Sequence, residues 1–386
     1  MLLRYLLLCS LSYNLLSYEQ KTAKTKSEIC PAVTQVNLAA VPFYAHFKGH
    51  FQLGTGFTPS YLKDQDLTRH IFKNFSSLTS ENAFKFSIVQ PHHGSFDFSQ
   101  TDLIVDVAQK EKKEVVGHTL IWETMNPSWL FKGADGKDRS RQELLKIMKD
   151  HIFTVMGRYR GKVKGWDVVN EAIMKDGTYR ESDWYRIIGE DYILKAYQFA
   201  AEADPEAELY YNDYGLYGEK KLLATVEMIK KLQEQGLNIH TVGFQGHLML
   251  NWPAVSDLER AIVELNKLGV MVAVTELDVT VLPGAWEHLN KSIKELDSHK
   301  YNPYIGGLPM DVEKKQADRY REVFEVLLRH SEKISRVTLW APNDGVSWMN
   351  DFPVRGRRDY AAVFDRKNRV KKSYFEILTL LKNNNP

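Results

Sequence analysis

Residues 163–171 read VKGWDVVNE, and this stretch decides the fold. A run of strand-forming residues ends here in Asn170 and the carboxylate Glu171. Residues 270–278, VMVAVTELD, have the same layout and place Glu276 near their end. Short runs of this kind recur along the chain, each followed by a segment with helical periodicity. The chain is therefore predicted to consist of repeated strand–helix units.

Eight such runs are present, and their alternation with helices predicts an α/β fold with a parallel sheet. The candidate strands are Phe51–Gly54, Leu78–Phe86, Glu114–Leu120, Val163–Asn170, Glu208–Asn212, Val242–Gly246, Val270–Glu276 and Arg336–Trp340. Eight units close naturally into a single (β/α)8 TIM barrel, with the active site at the C-terminal ends of the strands. An open doubly wound sheet is the alternative, but no glycine-rich nucleotide-binding motif supports it.

Two of the predicted helices begin with a capping box, in which a serine is followed three residues later by a glutamate. Ser140 and Glu143 form the first pair, and Ser256 and Glu259 form the second. Apolar residues then recur on one face of each segment. Both helices are therefore predicted to start at their serine.

The bulk composition is that of a soluble globular protein. The 386 residues carry a net charge of +2, so we expect no nucleic-acid partner. The cysteines, Cys9 and Cys30, offer neither a zinc motif nor a disulfide inside the mature domain. We expect no metal and no cofactor, and we expect a monomer.

The N-terminal residues have the layout of an export signal. Arg4 precedes an apolar run over residues 6–16, which is too short for a comfortable membrane span. We predict a signal peptide at 1–18, a linker at 19–37 and a catalytic domain at 38–386. The protein is then secreted or periplasmic, although an uncleaved N-terminal anchor is an alternative.

The two strand-terminal glutamates suggest a type of chemistry. The fourth and seventh strands lie on opposite sides of a closed barrel, so Glu171 and Glu276 can meet across its mouth. Cleavage of a glycosidic bond requires one protonated carboxyl and one ionised carboxylate. Either glutamate alone would be interpreted as a salt-bridged strand end. As a pair they predict a glycosidase.

The sequences at nearly all of the strand ends resemble those of glycoside hydrolase family 10, the xylanase family, from about residue 38 to about residue 379. The motifs that carry the resemblance are GHTLIW at 117–122, WDVVNEA at 166–172, YYNDY at 210–214, GFQGH at 243–247, TELD at 275–278, and Trp340 with Asn343, Asp344, Ser347 and Trp348. They occur in family order, and this ordered set is far more specific than any one of them.

The resemblance implies a retaining endo-β-1,4-xylanase that acts on xylan or xylo-oligosaccharides by double displacement. It makes Glu276 the nucleophile and Glu171 the acid/base. It also implies that Asn170 binds the sugar 2-hydroxyl, and that His247, oriented by Asp278, holds the nucleophile. The residues implied to bind glycone hydroxyls are Glu81, Asn82, Lys85, His118 and Gln245. The aromatic residues implied to line the cleft are Trp122, Trp340 and Trp348 beside the scissile bond and Tyr211 on the leaving-group side.

Some positions depart from the family pattern. Glu123 stands where the family usually has His, and Met125 stands where it has a sugar-contacting Gln. Two alternatives therefore stay open: the same mechanism on another β-1,4-glycan or a decorated xylan, and a glycan-binding protein whose activity has decayed. The long segment from about residue 281 to about residue 310 is predicted to form part of the cleft wall.

Overall fold

The computed structural model describes residues 40–384. The predicted signal peptide and linker lie outside this range. The strands are β1 Gln52–Phe57, β2 Ser77–Ser80, β3 Glu114–Gly117, β4 Gly165–Asn170, β5 Glu208–Asp213, β6 Thr241–Phe244, β7 His247–Met249, β8 Met271–Thr280 and β9 Ile334–Leu339. The α-helices are α1 Gln65–Asn74, α2 Phe86–Val89, α3 Ser99–Lys110, α4 Arg141–Arg158, α5 Asp183–Ile188, α6 Tyr192–Ala203, α7 Glu219–Glu234, α8 Val255–Asn266, α9 Ser298–Tyr301, α10 Met310–Arg329 and α11 Lys372–Asn384. Short 3-10 helices span Phe43–Phe47, Pro59–Lys63, Trp286–His288, Ile293–Glu295, Ser331–Lys333 and Trp348–Asn350.

Eight of these strands form a closed parallel barrel in the order β1 to β6, β8 and β9. The barrel closes because β9 pairs with β1, while β8 pairs with both β6 and β9. The short strand β7 pairs along the second half of β8, with His247 opposite Asp278. The predicted (β/α)8 barrel is confirmed, and β8 continues past its expected end at Glu276 to Thr280.

The second candidate strand, Leu78–Phe86, was predicted too long. Strand β2 ends at Ser80, whose hydroxyl accepts a hydrogen bond of 2.9 Å from the backbone N–H of Ala83. This bond turns the chain, and α2 begins at Phe86. Residues 81–85 are therefore a loop at the barrel mouth and not part of the strand.

One of the two predicted capping boxes is confirmed. The Ser140 hydroxyl accepts from the Glu143 N–H at 3.3 Å, and the Ser140 N–H donates to the Glu143 carboxylate at 2.8 Å. The second is wrong, because α8 has Ala254 as its N-cap and Ser256 lies inside its first turn. Glu259 instead binds the last arginine of α10 and the histidine that follows it.

Large aromatic side chains fill the layer between the barrel and its helices. Trp166 on β4 is fully buried, and Phe84 packs edge-on against it at a ring distance of 5.2 Å. Gly117 on β3 makes room for this indole, since a Cβ atom there would lie 2.1 Å from Trp166. The ends of β3 and β4 are thereby packed firmly beside each other.

No helix within residues 40–384 is long and apolar enough to cross a membrane.

Candidate active site

The two strand-terminal glutamates converge at the barrel mouth, where both contact Gln245. The Gln245 side-chain amide donates to the Glu171 carboxylate at 2.7 Å, and the Gln245 carbonyl accepts from the Glu276 N–H at 2.7 Å. Lys85 faces the same space: burial lowers its pKa, and the negative charges of both glutamates oppose this shift. The structure thus brings together the two carboxylates that the sequence singles out.

Glu171 follows β4 directly and has a left-handed backbone, with φ of 59°. This conformation costs a residue other than glycine about 1–3 kcal/mol, so the surroundings must hold it in place. The Glu171 N–H donates to the Asn212 carbonyl at 2.9 Å, and its carbonyl accepts from the Arg180 guanidinium at 2.8 Å. These two bonds fix the direction in which the Glu171 side chain leaves the barrel.

Arg180 also neutralises the unusual Glu123. The two side chains form a salt bridge of 2.7 Å, and Arg180 donates further to the Tyr214 hydroxyl at 2.9 Å. Burial raises the pKa of Glu123, the charge of Arg180 opposes this, and the charge of Glu171 adds to it. The added carboxylate is therefore close to Glu171 but paired with an arginine.

Glu276 is held in its ionised form. His247 Nε2 lies 3.2 Å from one carboxylate oxygen, and the Asn212 amide donates to the other at 2.9 Å. Burial pushes the pKa of Glu276 upward. The hydrogen bond from His247, the positive charges of His118 and His247, and the Asn212 amide outweigh burial and lower it below its ordinary value. An ionised carboxylate of this kind is suited to act as a nucleophile.

His247 is in turn oriented by Asp278. His247 Nδ1 lies 3.0 Å from Asp278 Oδ2, and the same oxygen accepts from the Trp348 indole at 2.8 Å. Burial alone would lower the pKa of His247, but Asp278 and Glu276 raise it to about 10. The ring is therefore an imidazolium that donates to a carboxylate at each nitrogen.

Asn212 is a site residue that the sequence analysis missed. Its amide donates both to Glu276 and to the Asn170 side-chain oxygen, the latter at 3.0 Å. Its own oxygen accepts from the Thr275 hydroxyl at 2.6 Å. The available signal was its position in the YYNDY motif, one residue from the end of β5.

Tyr211 does not reach the cleft, and the prediction that it lines the cleft on the leaving-group side is wrong. Its side chain is 0% exposed. The phenol donates to Asp213 at 2.6 Å and accepts from the Ala172 N–H at 3.1 Å. Neighbouring residues on a strand point to opposite sides, so with Asn212 facing the mouth Tyr211 must face away.

The loop after β2 places three of the predicted sugar-binding residues together. Lys85 donates to the Asn82 side chain at 2.9 Å and lies over the Trp122 ring at 4.6 Å. Glu81 accepts from the Tyr61 hydroxyl at 2.7 Å, and burial raises its pKa. Glu81, Asn82 and Lys85 form a polar wall, and the Trp122 ring packs against its lysine.

His118 and Trp340 form the adjoining part of the mouth. His118 Nδ1 lies 2.9 Å from Asp167, and the His118 and Trp340 rings meet edge-on at 5.8 Å. Both residues are largely buried. Asp167 orients His118 much as Asp278 orients His247, and the sequence analysis assigned it no role.

Within residues 40–384, no group of three or more histidine, cysteine, aspartate or glutamate side chains is arranged to hold a metal ion.

A closed barrel whose mouth holds an ionised glutamate close to a second glutamate is the arrangement of a glycoside hydrolase. The chain belongs to glycosyl hydrolase family 10, whose model matches residues 43–380. Endo-1,4-beta-xylanase A of Xylanibacter ruminicola is 39% identical over 337 residues, covering 86% of this chain and 91% of that protein.

Solved structures agree with this assignment. An endoxylanase retrieved from a sugarcane soil metagenome superposes with a TM-score of 0.84 at 38% identity, covering 88% of this chain and 99% of the other. A mutant protein in complex with xylotriose has a TM-score of 0.79 at 33% identity, covering 88% and 99% of the two chains.

Proposed function

We propose that this chain hydrolyses internal β-1,4-xylosidic bonds of xylan with retention, with Glu276 as nucleophile and Glu171 as acid/base. The observation that carries the proposal is the unequal environment of the two carboxylates. The side chains of His247 and Asn212 keep Glu276 ionised. The carboxylate of Glu171 is instead hydrogen-bonded by the neutral Gln245 amide. The xylanases among the relatives and the xylotriose complex favour xylan as the substrate.

In the first step, the Glu276 carboxylate attacks the anomeric carbon and the bond to the leaving sugar breaks. Glu171 gives its proton to the departing oxygen, which leaves as a hydroxyl. The product is a glycosyl ester on Glu276 with Glu171 ionised. His247 limits the movement of the nucleophile, because Asp278 fixes its ring on the other side.

In the second step, Glu171 takes a proton from a water molecule, and the resulting hydroxide attacks the same anomeric carbon. The ester bond to Glu276 breaks and both glutamates return to their starting states. Two inversions at one carbon leave its configuration unchanged. Gln245 keeps the Glu171 carboxylate over the reacting bond in both steps, since it donates to that group.

The polar wall of Glu81, Asn82 and Lys85, together with the adjoining His118, would bind hydroxyls of the glycone. Asn170 would bind the 2-hydroxyl, a contact that strengthens as positive charge develops on the ring. The sugar beside the scissile bond would be enclosed by Trp122, Trp340 and Trp348.

We further propose that residues 1–18 direct export and that the enzyme acts as a monomer. N-terminal sequencing of the exported protein and its sedimentation would check both.

Matched substitutions test the assignment of the glutamates. Glu276→Gln should abolish turnover of every substrate. Glu171→Ala should slow xylohexaose cleavage by about 100- to 10,000-fold, because the leaving oxygen loses its acid. The same variant should still release an activated phenol from an aryl xyloside in an initial burst, since that leaving group needs no proton.

Glu234→Gln, at an exposed residue of α7, is the control and should match the wild type. Product anomers from xylohexaose, followed by NMR, should appear first in the β configuration. First appearance of the α anomer, or full activity of Glu276→Gln, would refute the mechanism.

A further inference from the structure

The segment between β8 and α10, residues 281–309, is a packed structure that shares a small core with the loop after β9. Ala285 and Tyr301 of the segment are buried together with Val354 of that loop. The buried Arg357 guanidinium donates to the Tyr301 carbonyl at 3.0 Å and to a second carbonyl of the segment at 2.8 Å. A packed core and a buried arginine hold the segment in one conformation.

The segment is also attached to the loop that follows β9. Backbone hydrogen bonds of 2.9 Å join residues 290–293 to residues 353–355 in both directions. The two loops therefore form one continuous rim on the nucleophile's side of the barrel mouth.

Trp286 is left exposed on this rim, although its neighbour Ala285 is fully buried. The indole is 61% exposed, which is unusual for a large aromatic side chain on an ordered support. The exposure keeps one flat apolar face available to solvent.

A row of rings connects Trp286 to the catalytic centre. Trp286 meets Phe352 edge-on at 5.3 Å, and Phe352 stacks on Trp348 at 5.1 Å. Trp348 lies 4.7 Å from His247, which contacts the nucleophile. Trp286 is therefore continuous with the wall of the cleft.

We propose that Trp286 is a sugar-stacking residue that binds a ring of the polysaccharide substrate remote from the scissile bond. The flat apolar face of an indole matches the apolar C–H face of a sugar ring, and its rigid support lowers the entropy lost on binding. The bound ring is either a further unit of the xylan backbone or a branch sugar. The inference rests on the proposed xylanase function.

The experiment compares kcat/KM of the wild type and Trp286→Ala on three substrates: an aryl β-xylobioside, linear xylohexaose and branched glucuronoarabinoxylan. Phe352 and Trp348 separate Trp286 from His247, so we expect a substrate with two sugar rings not to reach Trp286 and its turnover to be unchanged. Loss of stacking should lower kcat/KM by about 2- to 10-fold on the long substrates. A loss on both long substrates identifies a backbone unit, and a loss on the branched polymer alone identifies a branch sugar.

Two further variants separate stacking from general apolarity. Trp286→Phe keeps a flat ring and should retain most of the wild-type activity. Ile305→Ala, at a residue of the same segment that is 67% exposed, should have no effect. Equal losses on all three substrates, or no loss on any, would overturn the proposal. A failure of the xylanase function itself would be recognised separately, because the wild type would then not cleave the aryl xylobioside.

Discussion

His247 donates to two carboxylates, one on each side of its ring. Since Asp278 accepts from Nδ1, the ring is turned so that Nε2 meets Glu276. The positive charge beside Glu276 then offsets the cost of burying that carboxylate. A histidine with its orienting aspartate thus favours the ionised form of Glu276.

Replacing this histidine should shift the pH dependence of catalysis. His247→Gln removes the positive charge, so the pKa of Glu276 should rise and the acid limb of the kcat/KM profile should move to higher pH. Loss of one charge-assisted hydrogen bond should also lower kcat/KM by about 10- to 100-fold. The profile of His92→Gln, at an exposed loop histidine, should coincide with that of the wild type. An unshifted acid limb in His247→Gln would mean that another group controls ionisation of the nucleophile.

We propose that Arg180 is a positioning residue for Glu171, the proposed acid. Arg180→Lys removes the planar group that reaches the Glu171 carbonyl, Glu123 and Tyr214 together. We expect kcat on xylohexaose to fall by about 10-fold, the effect of about 1.4 kcal/mol on the barrier. Release of an activated phenol should change little, because that step needs no acid. Arg186→Lys, on the surface of α5, is the matched control, and equal losses on both substrates would indicate a structural role instead.

At the scale of elements, a glycine on β6 allows the side chains of β5 and β8 to pack closely on either side of it. Gly243 on β6 lies beside Asn212 on β5 and Thr275 on β8, the pair that supports Glu276. A Cβ atom there would be 2.5 Å from a Thr275 methyl carbon and 3.0 Å from the Asn212 side-chain oxygen. The close packing of these strands and the placement of Glu276 therefore both depend on Gly243.

Gly243→Ala should damage stability and activity together. Overpacking of this kind costs about 1–3 kcal/mol of the free energy of unfolding. Displacement of Asn212 should also lower kcat/KM of the fraction that remains folded. Gly157→Ala, in α4 with no atom within 4 Å of the new Cβ, should instead stabilise the protein by about 0.5–1 kcal/mol. Denaturant unfolding and kinetics on the same samples would show whether the two glycines differ in this way.

At the scale of the whole molecule, the charged site couples folding to pH. The pKa of His247 is about 10 in the folded protein against an ordinary value of 6.5. Its stabilising contribution is therefore fully present below pH 6.5 and is lost as the pH rises through 10. The lowered pKa of Glu276 acts in the opposite sense. The stability that Glu276 contributes is present above pH 4.5, its ordinary pKa, and is lost as the pH falls through its lower pKa in the folded protein.

The stability advantage of the wild type over His247→Gln should therefore shrink as the pH rises from 6.5 to 10. Free energies of unfolding from denaturant titrations at several pH values in this range would measure it. A constant difference across the range would mean that His247 is neutral in the folded enzyme.

Predictions of individual element ends from the sequence were right in one case and wrong in two, although the determining interactions are local in all three. Ser140 and Glu143 of the first capping box are three positions apart, and the structure contains this box. The second box failed because the helix had already started at Val255. The second candidate strand was too long because the Ser80 hydroxyl accepts a hydrogen bond from the Ala83 N–H, and this bond turns the chain.

The sequence by itself determined the alternation of strands and helices, and it placed Glu171 and Glu276 near strand ends, because strand patterning and chain direction are properties of short segments. Only the tertiary structure decided the partners of these glutamates. Asn212 reaches Glu276 across 64 positions of sequence, and Gln245 reaches Glu171 across 74. Which of two adjacent residues, Tyr211 or Asn212, faces the mouth depends on the register of β5 in the closed barrel. Closure sets that register through pairing with strands distant in the chain, and no short stretch of sequence contains that information.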